Sequence, residues 1–304
     1  MKEYNVDISV IIPQRNSLDT LKRLFDSIPQ SDRIEILLVD NSSTPVTKDL
    51  IPVSRDYKLL WSAPDRYAGG ARNVGLENAH GKWIVFADAD DFFTPGAFDV
   101  FFSHINDNED LIYFKSESVY DDTLEPSDRH LLFNSYIDNY LSGKCDELGC
   151  RLDYLVPWGK MIKADLINSH NIKFDEVLAA NDMYFSTLVG YYSEKFSVDT
   201  NAVYVITTRK ASLANRRDLP VIKSRYLVSL RRNKFLKEKG LSDRQGSVMV
   251  YLFQAKAFGL KELWWFVNKA IEYHQNLFLG MKNWVRTYRQ MRSNAQKNKE
   301  YIKK

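Results

Sequence analysis

Three carboxylates fall within four residues at Asp88-Ala89-Asp90-Asp91, directly after the apolar run Trp83-Ile84-Val85-Phe86-Ala87. Negative charges that close repel one another and call for a compensating cation. Hard oxygen donors suit Mg²⁺ or Mn²⁺ bound together with phosphate oxygens, so these residues point to a divalent metal holding a nucleotide diphosphate. The plainer alternative is an acidic loop in which an Asp caps a helix starting near Pro95. Further polar groups follow other apolar runs: Gln14, Arg15 and Asn16 after Ile8–Ile12, and Asp40 with Asn41 after Ile34–Val39. Arg72 can bring a positive charge to the same place, a solvated surface arginine being the equal alternative. His80, His104, His130, His170 and His274 show no ligand spacing and read as structural. Cys145 and Cys150, in a polar stretch without a nearby His, are expected to be reduced thiols without a role.

The elements that must position these groups alternate. Ile8–Ile12 is a β-branched run, and Ser17 can cap a helix whose Leu18, Leu21, Phe25 and Ile28 share a face. Strands at Ile34–Val39 and near Tyr57–Trp61 follow, then a helix from about Ala68 to Ala79 with a small-residue face of Ala71, Val74, Gly75 and Ala79. The fourth strand of the series ends at Asp88. Such alternation predicts an α/β, doubly wound, largely parallel sheet, whose ligands sit beyond the carboxyl ends of the strands. Gln14–Asn16, Asp40 with Asn41, and Asp88–Asp91 then converge on one edge. A Rossmann dinucleotide fold is disfavoured, because the first strand runs into Pro13-Gln14-Arg15-Asn16 rather than a glycine-rich turn, and a Walker loop is missing. Gly69-Gly70 reads as a plain turn.

Beyond Thr94 the pattern loosens into a helix near Pro95–Ile105, a strand at Leu111–Lys115, helical Ala164–Ser169, a helix opened by Asn181-Asp182 and a strand at Val203–Thr207. From about Leu219 the chain reads as helical. The expected division is a domain over 1–217, with halves about 1–95 and 96–217, and a helical region over 218–304. A chain of 304 residues with 44% apolar and 27% charged residues is ordinary for a soluble globular protein. No apolar signal region opens it and no run of eighteen apolar residues occurs, so neither secretion nor a membrane span is expected, and cytoplasmic residence is.

Four motifs in order carry a resemblance. Ile8-Ser9-Val10-Ile11-Ile12-Pro13, Glu35-Ile36-Leu37-Leu38-Val39-Asp40-Asn41-Ser42-Ser43, Ala71-Arg72-Asn73-Val74-Gly75-Leu76 and Phe86-Ala87-Asp88-Ala89-Asp90-Asp91 resemble the signature of family 2 inverting glycosyltransferases of the GT-A fold. The likeness covers about residues 7 to 215 and weakens after 95. It implies a GT-A mixed sheet and transfer of a sugar from a nucleotide diphosphate donor, a UDP-sugar being expected, to a hydroxyl of a cell-surface glycan or lipid-linked acceptor. It gives the nucleobase to Pro13, Asp40 and Arg72, the ribose side to Asp88, and the Mn²⁺ or Mg²⁺ to Asp90, with Asp88 and Asp91 as weaker metal candidates. Gln14, Arg15, Asn16, Asn41 and Ala89 complete the expected nucleotide-sugar contacts. Two departures stand out: Asn41 occupies a position usually held by a second Asp, and Pro13-Gln14-Arg15-Asn16 replaces the more common opening. Arg15 reaches either the donor phosphates or solvent.

Inverting transfer needs a base for the acceptor proton. The family takes it from a Glu-Asp pair opening a helix, which places Asp182 in that role and Asn181 where the Glu stands; a plain helix cap is the alternative reading of Asp182. Trp158 and Lys160 resemble the acceptor-side segment, a buried core tryptophan being the alternative. Arg209 is a candidate helper of the leaving diphosphate, or a solvated turn.

The charge of +3 is uneven: Lys261–Lys304 holds ten Lys or Arg against three Glu, a net +7, leaving −4 elsewhere. Trp264, Trp265, Phe266, Leu277, Phe278 and Trp284 are interleaved there with Lys269, Lys282, Arg286, Arg289 and Arg292, a mixture suited to an anionic membrane surface; a self-packed hairpin or a homo-oligomer contact is the alternative. Nucleic acid is not expected as a partner. Rival functions are a non-catalytic nucleotide-sugar-binding subunit and a sugar nucleotidyltransferase.

Overall fold

The computed structural model describes residues 6–53, 55–209, 215–277 and 279. Two compact units divide the chain: Met1–Val177 with Asn181–Thr208, and Leu178–Ala180 with Arg209–Lys304.

The first unit is built on one eight-stranded sheet. Its strands are β1 (Val6–Gln14), β2 (Ile34–Asp40), β3 (Lys58–Trp61), β4 (Gly81–Phe86), β5 (Phe92–Phe93), β6 (Leu111–Tyr120), β7 (Lys160–Lys163) and β8 (Phe196–Thr208), in the order β3-β2-β1-β4-β7-β6-β8-β5. The helices are α1 (Leu18–Asp26), α2 (Tyr67–Glu77), α3 (Ala97–Ser103), α4 (Leu131–Leu141), α5 (Glu147–Asp153), α6 (Ala164–Ser169) and α7 (Asn181–Tyr192). β3, β2, β1 and β4 are mutually parallel, whereas β7 is antiparallel to both neighbours, so the sheet is mixed. The order reverses between β1 and β4, which opens a crevice past their carboxyl ends. In register, Gln14 stands opposite Asp40 and Ile11 opposite Phe86, which aligns the polar strand ends.

β4 reads as a continuous apolar run because both faces are covered: Trp83, Ile84, Val85 and Phe86 are all buried. α1 buries Leu21, Leu24 and Phe25 on the sheet, but Ser17 does not cap it; the Ser17 amide donates to Gln14 Oε1 at 3.0 Å instead. α2 lies close to β1 because Gly75 carries no side chain. A Cβ there would meet the Ile11 side chain at 2.4 Å. Phe174 stacks on Phe185 of α7 with centroids 3.7 Å apart, and both meet Phe86 edge-on, which fixes the start of α7 over the end of β4. Each such pair contributes about 0.5–1.5 kcal/mol beyond area burial. β5, α4, α5 and β7 have no counterpart in the sequence reading, and β8 begins seven residues before the expected Val203.

His104 links the end of α3 to β8. Its Nδ1 lies 2.6 Å from Asp107 and its Nε2 2.9 Å from Asp199. Burial pulls its pKa down, but hydrogen bonds to the two carboxylates outweigh this and leave it above the usual 6.5. A raised histidine pKa gives stability that is complete below the unfolded value and fades as pH rises through the folded one. The parent protein is therefore expected to lose stability as pH rises from the ordinary histidine value of 6.5 through the raised folded one. His104→Gln should flatten that slope in thermal melts, and an unchanged slope would remove this account of His104.

The second unit contains α8 (Leu219–Glu238), α9 (Met249–Lys256) and α10 (Leu260–Glu272). Asp218 caps α8 by accepting from the Val221 amide at 3.3 Å. Ile222, Tyr226, Leu230, Val248, Ala255, Phe266 and Ala270 form its core, and the Tyr226 hydroxyl donates to the Phe266 carbonyl at 2.7 Å. Phe266, expected on a membrane-facing surface, is therefore a core residue. Phe278, Lys282, Trp284, Arg286, Arg289 and Arg292 lie outside the described residues. Among the described residues no helix is long and apolar enough to cross a membrane.

Candidate active site

The strand ends past β1, β2 and β4 carry the expected polar groups, but several are spent on the fold. Asp40 accepts from Gln14 Nε2 at 3.0 Å and from the amides of Ser42 at 3.1 Å and Val46 at 2.7 Å, so its carboxylate shapes the turn after β2. Asn41 donates to the carbonyls of Ser62 and Ala63 at 3.3 and 2.6 Å. Gln14, Asp40 and Asn41 are all buried, as is Pro13. Arg15 and Asn16 are exposed, and Arg15 reaches the Pro64 carbonyl at 3.4 Å. Asn16 has φ 55°, the left-handed region that asparagine tolerates.

After β4 the three acids separate by environment. Asp91 is 3% exposed, with one oxygen accepting from the Thr207 amide and hydroxyl at 2.8 and 3.1 Å and the other from the Tyr204 hydroxyl at 3.0 Å. Burial pushes its pKa well above the usual range, and the charges of Asp90 and Asp88 push further. Asp91 therefore ties the loop to β8, which corrects its reading as a metal candidate. It does not cap α3 either, since Gly96 holds that position at φ 79°. Ala89 gives its carbonyl to Thr20 Oγ1 at 2.7 Å. The Asp90 carbonyl accepts from Arg23 Nη2 at 2.8 Å and Thr207 Oγ1 at 3.1 Å, while the residue remains half-buried. Asp88, one third exposed in its side chain, lies between: its amide donates to the Tyr204 hydroxyl at 2.8 Å.

Arg72 joins this loop to α7. Its Nη2 donates to Asp88 Oδ1 at 2.6 Å and its Nη1 to Asn181 Oδ1 at 2.8 Å, above the Phe174 ring at 5.3 Å. At 6% exposure, with both terminal nitrogens on protein partners, Arg72 is a bridge rather than a nucleobase contact, which departs from expectation. Asn73 holds the approach to α7 from behind, exchanging hydrogen bonds with the Phe174 backbone at 3.0 and 2.8 Å. Glu176 closes on Arg66 with two bonds of 2.8 and 2.5 Å. Gly69 makes that approach possible, because a Cβ there would lie 2.0 Å from the Asp175 carbonyl. Ala180 takes φ 61° immediately before Asn181, a strained conformation for alanine.

Asp182 occupies the first turn of α7, half-buried. Burial raises its pKa, the Arg72 charge and its own backbone hydrogen bond oppose this, Asp88 adds to it, and the net shift is upward. A helix N-terminus alone would weaken a base there; burial wins and leaves a stronger one. The two expected acceptor-side residues depart from expectation. Trp158 is 3% exposed and stacks flat on Tyr204 at 5.5 Å, the core alternative. Lys160 is 1% exposed, donates to the Tyr154 carbonyl at 2.7 Å and lies over the Tyr113 and Tyr154 rings. Burial brings its pKa down to about 7, against the pull of Asp182. Arg209, the candidate helper of the leaving diphosphate, falls in the second unit. Cys145 and Cys150 form no disulfide, and Cys150 is buried with its pKa pushed up to about 12.

Tyr204 and Thr207 were invisible as site residues because nothing in a strand sequence marks which side chain faces an acidic loop. Asn73 lies inside the third motif, which was the signal for it.

A metal held by protein alone does not fit: among the described residues no group of three or more His, Cys, Asp or Glu can hold one. Asp90, with the second oxygen of Asp88, fits a cation shared with diphosphate oxygens, since Mg²⁺ commonly takes one or two carboxylates and completes its shell from phosphate.

A parallel β3-β2-β1-β4 half with acids past the switch point, extended by antiparallel β7, defines the GT-A class of α/β fold. The family model Glycosyl transferase family 2 matches residues 9–155. The glycosyltransferase GlyA of Streptococcus pneumoniae is 25% identical over 233 residues, which is 68% of this chain and 31% of GlyA. The chain thus spans about a third of that relative. The crystal structure of Staphylococcus aureus TarS 1–349 in complex with UDP-GlcNAc superposes with TM-score 0.58 at 19% identity, covering 88% of this chain and 73% of that one. The mannosyltransferase PcManGT of Pyrobaculum calidifontis, in complex with GDP-Man and Mn²⁺, gives TM-score 0.55 at 15% identity, covering 99% and 90%. At these identities the structural likeness concerns the fold.

Proposed function

We propose that the chain is an inverting, metal-assisted glycosyltransferase that moves a sugar from a UDP-sugar to a hydroxyl of a cell-surface glycan or lipid-linked acceptor, with residues 1–217 as the catalytic domain and 218–304 as a separate helical region. One observation carries the reading: a single buried guanidinium, Arg72, spans from Asp88 on the donor-side loop to Asn181 beside Asp182. Donor acids and base candidate are thereby held in one hydrogen-bonded frame, as attack from the face opposite the leaving nucleotide requires. Asp182 takes the acceptor proton, and its raised pKa suits that task. Asp90 and Asp88 would hold Mn²⁺ or Mg²⁺ with the diphosphate, and the cation supplies charge neutralisation for the leaving group. The nucleotide-sugar complexes of TarS and PcManGT support a nucleotide diphosphate donor.

Purified protein incubated with a panel of UDP- and GDP-sugars and Mn²⁺ tests this. Nucleoside diphosphate release that rises with acceptor glycan and is abolished by chelation is the expected result. Donor binding without release, with any acceptor, would favour a binding subunit instead, in line with Asn at 41 and 181.

A further inference from the structure

Among the described residues of the second unit, one helical face is exposed. Along α10, Leu260, Trp264, Val267 and Ile271 recur at spacings of four, three and four residues and form one stripe. The packed side of the same helix is different: Phe266 and Ala270 are fully buried, and Leu263 packs against their cluster. Leu260, Trp264 and Ile271 are 82%, 62% and 59% exposed. Phe253 of α9 and Phe258 after it add two more exposed rings, so five of the eleven large apolar residues exposed among the described residues fall between 253 and 271. Scattered exposed apolar side chains need no explanation; a periodic stripe marks a contact surface.

Charge identifies the occupant. Lys256 and Lys261 are exposed beside these residues, and the acids of α10, Glu262 and Glu272, are paired with Lys223 and Lys269 at 2.6 Å each. The segment Lys261–Lys304 carries a net +7. A second copy carries the same positive excess in its sequence and would add to that charge rather than answer it. A nucleic acid would answer the charge but offers no apolar phase for Leu260 and Ile271. We propose that this face of α10 docks on an anionic lipid bilayer, its stripe entering the boundary between headgroups and acyl chains, with Trp264 at the depth that indole prefers and the basic residues on the lipid phosphates.

The full chain should co-sediment at low salt with phosphatidylcholine vesicles containing roughly one third phosphatidylglycerol, and far less with pure phosphatidylcholine or at about 0.5 M salt. Trp264→Ser with Ile271→Ser should weaken binding at least about tenfold by removing the apolar half of the contact, leaving nucleotide-sugar binding unchanged. Leu260→Gln, at the most exposed position, serves if the double variant loses helical signal. Equal binding to neutral and anionic vesicles, no binding, or parental binding by the variants would overturn the proposal. So would a dimer in analytical ultracentrifugation that the double variant dissolves while vesicle binding is absent. None of these readouts needs turnover, so their failure would leave the proposed transfer reaction standing.

Discussion

Asp182→Asn is expected to lower the transfer rate by about 10²- to 10⁴-fold, the usual contribution of a general base, while nucleotide-sugar affinity stays within about twofold. The substitution keeps the shape of the side chain at the start of α7 and removes only its capacity to take a proton. Asn181, which receives Arg72 Nη1, is untouched, so the bridge to Asp88 persists. A second signature accompanies the rate. Burial lifts the Asp182 pKa above the usual 3.8, and a base must be ionised to act, so parental kcat/KM should fall as pH drops through that raised value. In the variant this acid limb should vanish. Near-parental turnover on a working acceptor would leave Asp182 as a helix-terminal aspartate and move the base elsewhere.

The parts of this site that were legible in the sequence are those fixed by local pattern. Alternating apolar runs place β1, β2 and β4 to within a few residues, and the parallel half of the sheet follows from them, so Gln14, Asp40 and Asp88 arrive at one edge. What a side chain does there depends on contacts from distant segments. Asp91 and Asp88 look equivalent in sequence; Thr207 and Tyr204, more than a hundred residues on, make one of them structural. Arg72 looked like a ligand contact because a charge at a helix start usually faces solvent or substrate, yet Asn181 and Asp88 absorb it from two sides. β7 escaped because four residues carry too little periodicity, and it is β7 that draws Lys160 into the interior. The aromatic and basic tail read as one surface; packing of Phe266 against Tyr226 splits it into a core side and an exposed side.

Asp90→Ala should remove Mn²⁺-dependent donor binding, weakening nucleoside diphosphate affinity in the presence of metal at least about tenfold, or ~1.4 kcal/mol, by titration calorimetry. Asp91 is consumed by Thr207 and Tyr204, and Asp88 shares an oxygen with Arg72, so Asp90 is the carboxylate whose loss the loop cannot replace. Binding without metal should barely change. The fold should not suffer, and the reason lies next door. Asp91 has a folded pKa raised above its unfolded value, so at neutral pH its ionisation opposes folding; Asp90 is one of the two charges that raise it. Deleting that charge relieves the opposition, and thermal melts at neutral pH should show the variant as stable as the parent or more so. Loss of stability together with retained Mn²⁺-dependent binding would reverse both halves of the assignment, making Asp90 a structural acid and leaving the cation to be held by other groups.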